Sequence, residues 1–291
     1  GPVVVRAGPG TGKTRTLVGR VSCLIAQGVP PDKIVAVTFT RRAAEEMRHR
    51  LFDELGPGAR VPLADTLHAL ALNLWWSTFS SQPMILSEES ARRVFDEANV
   101  GENRQTRNQA WIALNAARES LSVLPFEFAH MEQRYSDLKK NAGLVDYTDL
   151  LEFWLERVSS GIYKCPWEHV LVDEIQDLSP LQLVLVRDML PPDGKGFFGI
   201  GDPAQSIYSF RGAHGNSREF FSQSWPETEC IHLGRNYRSF SEILAISHAG
   251  LGEQASWPAL VPKRTGEGEV SLFLAPSAEA EAIWIAERTA A

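Results

Sequence analysis

Short apolar runs alternate with longer stretches of helical periodicity along this chain. Their order predicts a parallel sheet covered on both faces. Val3-Val4-Val5 runs straight into a glycine-rich loop, after which Thr14 to Gln27 reads as a helix. Ile34 to Val37 is a second buried-strand candidate, and the helix that follows, Arg41 to Leu55, ends at Gly56-Pro57-Gly58. A third strand around Val61 to Ala64 precedes a helix from Thr66 to Thr78. From Ser87 to Val158 the pattern changes to helices alone, over 88–98, 106–120, 126–141 and 147–158. Alternation then resumes: strand His169 to Val172, a helix opened by Ser179-Pro180, strand Gly196 to Ile200, and strand Glu229 to Leu233. Ser239 with Glu242 has the spacing of a capping box for a helix over 240–251.

The expected architecture is therefore an α/β domain in two parts, 1–78 and 145–240, with an all-helical insertion at 79–144. Segment 257–268, rich in Pro and Gly, reads as a linker, followed by one strand (Val270 to Leu274) and one helix (Ala278 to Thr289). A lone strand–helix unit cannot bury its faces, so 241–291 reads as the start of a second, incomplete α/β domain.

Composition adds limits. Of 291 residues, 44% are hydrophobic and 22% charged, ordinary values for a soluble globular protein. No apolar run approaches the ~18 residues of a membrane span and no leader opens the chain, so it reads as cytoplasmic, without a membrane partner. Cys23, Cys165 and Cys230 are scattered, which argues against a disulfide framework and for buried, inert thiols. A net charge of −7 disfavours coating of duplex nucleic acid but permits a local basic groove.

The sharpest chemistry lies at Ala7-Gly8-Pro9-Gly10-Thr11-Gly12-Lys13-Thr14, between a predicted strand and a predicted helix. Gly8, Gly10 and Gly12 let the backbone curl so that successive N–H groups, with that of Thr11, face phosphate oxygens. The helix N-terminus adds positive potential; Lys13 can reach the β- and γ-phosphates and Thr14 can offer a hydroxyl to Mg²⁺. Ala7 stands where the strict pattern asks for the first glycine. A second signal is the apolar run Val170-Leu171-Val172 ending in Asp173-Glu174, carboxylates at the C-terminal edge of a buried strand, where open α/β sheets bind ligands. Asp173 can hold Mg²⁺ through water and Glu174 can take a proton from an attacking water. ATP and Mg²⁺ are thus the expected cofactors of a hydrolase.

Further motifs occur in a fixed order: Val37 to Met47, Thr66-Leu67-His68, Val145 to Leu151, Val172 to Asp177, Gly201 to Ala213, and Asn236-Tyr237-Arg238-Ser239. With the glycine-rich loop, they make the chain resemble the UvrD/Rep/PcrA-like superfamily 1 DNA helicases across essentially its whole length. The resemblance implies a RecA-like P-loop NTPase fold and an ATP-driven motor on single-stranded DNA and its junctions with duplex. It implies that Gln205 senses the γ-phosphate or attacking water and that Gln176 couples, that Tyr237 stacks on adenine and that Arg238 reaches the γ-phosphate. An arginine there would neutralise charge spreading over the transferred phosphoryl oxygens. The family's upstream glutamine motif has no counterpart, and its later motifs are absent. The chain is accordingly expected to be the N-terminal portion of a longer helicase, weak in nucleotide binding and poor at unwinding by itself.

Tyr208, Phe210 and Arg211 lie within four residues of one another, in a polar setting that favours an exposed loop; aromatic faces there can stack on any base. Phe210 stands where many members of the family carry Trp. Phe39, Thr40 and Arg41 could hold backbone phosphates, and Arg42 is as readily an ordinary helix start. Thr66 and His68 are phosphate contacts by resemblance only. Asp146 and Asp149 read as helix caps with no chemistry, and Trp75, Trp76 and Trp154 as packing. Three rival readings remain: the same fold acting on RNA, a nucleotide-dependent module without catalysis, and a small-molecule kinase, which has no use for Tyr208 to Arg211.

Overall fold

A computed structural model describes residues 1–79, 83–206, 217–251 and 258–289; Tyr208, Phe210 and Arg211 lie outside these. It divides into two compact units, Gly1–Leu233 and Gly234–Ala291.

In the first unit, β1 (Val3–Ala7) leads into α1 (Lys13–Ala26), β2 (Ile34–Val37), α2 (Arg41–Leu55), β3 (Leu63–Asp65) and α3 (Leu67–Thr78). Then come β4 (Met84–Ile85), α4 (Glu88–Ala98), α5 (Arg104–Ser120), α6 (Ala129–Ala142) and β5 (Leu144–Val145). The unit closes with α7 (Tyr147–Ser159), β6 (His169–Val172), α8 (Pro180–Asp188), β7 (Phe197–Gly201), α9 (Ser217–Ser224) and β8 (Glu229–Leu233). Six strands make one sheet in the order β3-β2-β6-β7-β1-β8, with every pairing parallel. Successive side chains of a strand point to opposite faces. Val35, Val37, Val170, Val172 and Phe197 thus pack with α3, α7 and α8, while Ile34, Ala36, Leu171 and Ile200 pack with α1 and α2. Burying each large apolar side chain stabilises by about 1.5–3 kcal/mol, so the two covered faces specify the sheet.

A separate small core of Phe95, Ala110, Leu114, Met131 and Tyr135 holds α4, α5 and α6 together. The charged pattern there does more than cap. Arg118 of α5 bonds Asp146, Asp149 and Glu152, and Lys139 of α6 bonds Asp146 and Asp149 at 2.6–2.7 Å. The Tyr135 hydroxyl donates to Asp146 at 2.8 Å. Asp146 and Asp149 do form a capping box on α7, but they also bind the helical segment to it. Burial opposes the Asp146 charge, yet Arg118 and Lys139 outweigh it and hold that carboxyl well below the usual range.

Several expectations need correction. The insertion expected to be all-helical over 79–144 carries a short strand near its start, β4, which pairs parallel with β5 at its end, and α9 had no clear sequence signal. Two-residue strands carry too little pattern to be read. Trp76 is 48% exposed and so is not packing, whereas Trp154 is buried. Only Cys165 is buried, its thiol pushed up to about 12 by burial; Cys23 and Cys230 are exposed.

The second unit contains β9 (Arg235–Asn236), α10 (Ser241–Gly250), β10 (Val261–Pro262) and α11 (Ala278–Thr289). β10 lies inside the segment expected to be a linker and pairs with β9, and 270–274 forms no strand despite its apolar run. The expected capping box is also absent: α10 begins at Ser241, the Ser239 N–H donates to Asn236 Oδ1, and Glu242 accepts from the Gly268 N–H. A local turn at Asn236 takes the Ser239 N–H and a long-range contact takes the Glu242 carboxylate, and together they displace the cap.

Candidate functional site

Parallel strands bring their C-terminal ends to one edge of the sheet, and among the described residues every predicted chemical residue of the first unit follows such an end. The loop after β1 is shaped by two left-handed glycines, Gly10 (φ 70°) and Gly12 (φ 92°), conformations that a side chain would strain. Thr11 donates its hydroxyl to the Gly8 carbonyl at 2.7 Å, closing the loop, and Gly12 caps α1, which starts at Lys13. Lys13 and Thr14 therefore sit in the first turn of a helix whose free N–H groups point back into the loop.

Across the sheet edge, β6 ends in Asp173 and Glu174. The Lys13 ammonium lies 3.4 Å from Glu174 Oε2. Glu174 has φ 49°, a left-handed conformation that is costly for a side-chain-bearing residue and concentrates at functional positions. Its N–H donates to Asp173 Oδ1 at 3.0 Å, which fixes the turn. Burial, then the neighbouring Glu174 charge, pushes the Asp173 carboxyl up to about 6; the Lys13 charge pulls the other way. Asp177 is raised to about 6 for the same two reasons.

A cavity of about 230 Å³ gathers Thr38, Phe39, Thr40, Asp173, Glu174 and Gln205, and Gln176 and Asp177 line it too. Gln205 belongs to a turn of Pro203–Gln205 just after β7, the sheet neighbour of β6. Phe39 and Thr40 follow β2; the Thr40 hydroxyl accepts from the Ala43 N–H and caps α2. The structure thus brings Lys13, Asp173, Glu174 and Gln205 together with part of the candidate nucleic-acid segment. Asp177 was missed by sequence reasoning, although it is the last acidic residue of the same motif.

A second cavity, about 270 Å³, contains Arg41, Arg48, His68, Asn73, Trp76 and Tyr147 among its lining residues. The His68 and Tyr147 rings meet edge to face, centroids 5.6 Å apart. Thr66 does not open onto either; it is buried, and its hydroxyl caps α3 by accepting from Ala69 N–H. Arg48, Trp76 and Tyr147 carried no sequence signal as site residues, because only the juxtaposition of α2, α3 and α7 assembles them. Tyr237 (61% exposed) and Arg238 belong to the second unit, where the Arg238 N–H donates to Asn236 Oδ1.

Among the described residues no cluster of His, Cys, Asp and Glu has metal-site geometry, and no helix is long and apolar enough to cross a membrane. The donor set nonetheless fits a hydrated magnesium nucleotide: a loop of backbone N–H groups, one lysine, one threonine hydroxyl and one buried carboxylate.

Comparison with known proteins adds relatives. Residues 1–224 match the family model of the UvrD/REP helicase N-terminal domain. The chain is 32% identical over 273 residues to DNA helicase II of Escherichia coli (strain K12), covering 85% of this chain and 38% of that protein. It is 29% identical to ATP-dependent DNA helicase UvrD1 of Mycobacterium tuberculosis (strain ATCC 25618 / H37Rv), over 98% of this chain and 42% of that protein. To ATP-dependent DNA helicase PcrA of Leuconostoc citreum it is 30% identical, over 86% and 37%. The chain thus spans about two fifths of the length of these relatives.

Proposed function

The chain belongs to the UvrD/REP helicase family, and from that premise we propose that it is the ATP-hydrolysing part of a DNA helicase that moves on single-stranded DNA. One observation carries the reading: Lys13, from the phosphate-type loop after β1, pairs with Glu174 at the end of β6, beside a cavity that Asp173, Glu174 and Gln205 share.

In this reading the loop N–H groups and Lys13 bind the triphosphate, and Thr14 with Asp173 would hold Mg²⁺. A magnesium ion bound there supplies charge neutralisation on phosphoryl oxygens. Glu174 accepts a proton from the attacking water, with Lys13 as its ion-pair partner when no phosphate competes. Gln205 faces the terminal phosphoryl group or the water. Tyr237 stacks on adenine and Arg238 reaches the γ-phosphate, roles that belong to the second unit. On the DNA side, Phe39, Thr40 and Arg41 meet the backbone, and His68 shares its cavity with Trp76 and Tyr147, whose exposed rings suit base stacking. Thr66 serves by holding α3 in place. Tyr208, Phe210 and Arg211 complete the strand contact.

The test is ATP turnover in the complete protein with and without single-stranded DNA. Turnover should rise about tenfold or more with DNA, and Gln205→Ala should weaken ATP binding by no more than about fivefold while losing most of that stimulation. Stimulation left intact in Gln205→Ala would refute the coupling role. Equal stimulation by matched RNA oligomers would favour the RNA-directed reading.

A further inference from the structure

Gln205 does not stand alone at the cavity. Its side-chain Nε2 donates to Asp202 Oδ2 at 2.8 Å, and Asp202, 4% exposed, accepts the Ala204 N–H on Oδ1 at 3.1 Å. A carboxylate only accepts, so the nitrogen end of the Gln205 amide must face Asp202. That leaves the Gln205 carbonyl oxygen and one N–H to serve the cavity. Asp202 is in turn fixed from the other side: its backbone N–H donates to Gln176 Oε1 at 2.9 Å, and Gln176 Nε2 donates to Glu174 Oε2 at 2.9 Å. Glu174 pairs with Lys13 at 3.4 Å. The run Lys13–Glu174–Gln176–Asp202–Gln205 is thus continuous across the ends of β6 and β7.

The sequence protects this run sterically. A Cβ on Gly201 would lie 2.2 Å from Gln176 Oε1, so any side chain there would push the carboxamide off Asp202. The hydroxyl of Ser206 donates to the Gln176 carbonyl at 3.2 Å and anchors the far end of the turn.

We propose that Asp202 is a positioning residue for the terminal phosphoryl group: it orients the Gln205 amide and, through Gln176, ties that orientation to Glu174. The proposal rests on the nucleotide-site reading above. Asp202 is not among the residues that line the cavity, so in this proposal it acts only through Gln205. Groups held by a buried charge-assisted bond need no reordering when the substrate arrives.

The experiment is a double-mutant cycle read by binding of a non-hydrolysable ATP analogue and of ADP to the complete protein with Mg²⁺. Asp202→Ser is the informative variant, because a serine hydroxyl can still accept the Ala204 N–H but is too short to hold Gln205. Asp202→Ser should weaken the ATP analogue about fivefold relative to ADP, the worth of one ordered hydrogen bond, and leave ADP unchanged. In a Gln205→Ala background the same substitution should change nothing further. A persistent loss in that background, or equal weakening of ADP, would mark Asp202 as merely structural and overturn the proposal. An unchanged ratio in Asp202→Ser also overturns it while leaving the nucleotide site intact. If the native protein binds neither nucleotide, the site reading falls, and the positioning role with it.

Discussion

Asp173 shows how a single side chain is set against stability for chemistry. Its folded-state value of about 6 lies above the ordinary 3.8, first because of burial and then because Glu174 is adjacent. A carboxyl raised in this way binds protons more readily folded than unfolded. Stability therefore falls as pH rises from about 4 to about 6 and levels off beyond. Asp173→Asn keeps the acceptor for the Glu174 N–H but removes the charge. At pH 7.5 it should unfold at higher urea, by about 2 kcal/mol, while magnesium-dependent turnover is lost. Urea titrations at pH 7.5 and 4 check this: the gain should vanish at pH 4, where the native carboxyl is protonated in the folded state. Above it, Mg²⁺-dependent nucleotide binding by the native protein should strengthen as pH passes through about 6.

Between elements, the Arg118 network decides how α5 and α6 sit on α7. Arg118 is largely buried against Asp146, Asp149 and Glu152. Removing Arg118 leaves Asp146 and Asp149 to Lys139 alone and takes from Glu152 its Arg118 partner, so Arg118→Ala should cost about 3 kcal/mol in urea unfolding at pH 7. Arg93→Ala, which removes an exposed pair with Glu89, should cost under about 0.5 kcal/mol. The Asp146 carboxyl is held below its unfolded value, so its contribution is present above that value and is lost as pH falls below it. The gap between the two variants should therefore narrow in acid; a constant gap would mean packing, not charge, dominates.

On the proposed motor reading, this chain's acidic balance of −7 makes local rather than net charge the determinant of DNA binding. If Arg41, Arg48 and the neighbouring rings grip the strand, affinity should drop with salt at a slope of about −0.7 per phosphate neutralised. Arg41→Ala should lower that slope by roughly one contact, whereas Trp76→Ala should weaken binding by about 1–3 kcal/mol without altering it. Fluorescence anisotropy of labelled oligonucleotides over a salt series reads both.

How far the sequence reached depends on whether a signal is local. The glycine-rich loop, the apolar strand ending in Asp173-Glu174 and helices such as Arg41–Leu55 and Ala278–Thr289 were legible because a few adjacent residues specify each conformation. Ser179 announced its helix for the same reason, as a cap acts over three residues. The apolar run at 270–274 misled because a strand needs a partner, and the capping box at Ser239 failed because Asn236 and Gly268 supplied other hydrogen bonds. What the chain determined by itself is the chemistry at the strand ends: lysine, carboxylates and glutamine in a fixed order. Only the tertiary structure decided that Asp146 pairs with Arg118, that Trp76 and Tyr147 share a cavity, and that the Asp202 N–H meets Gln176 between the ends of β7 and β6. Those contacts join groups on different turns, helices and strands, whose meeting depends on packing rather than on spacing along the chain.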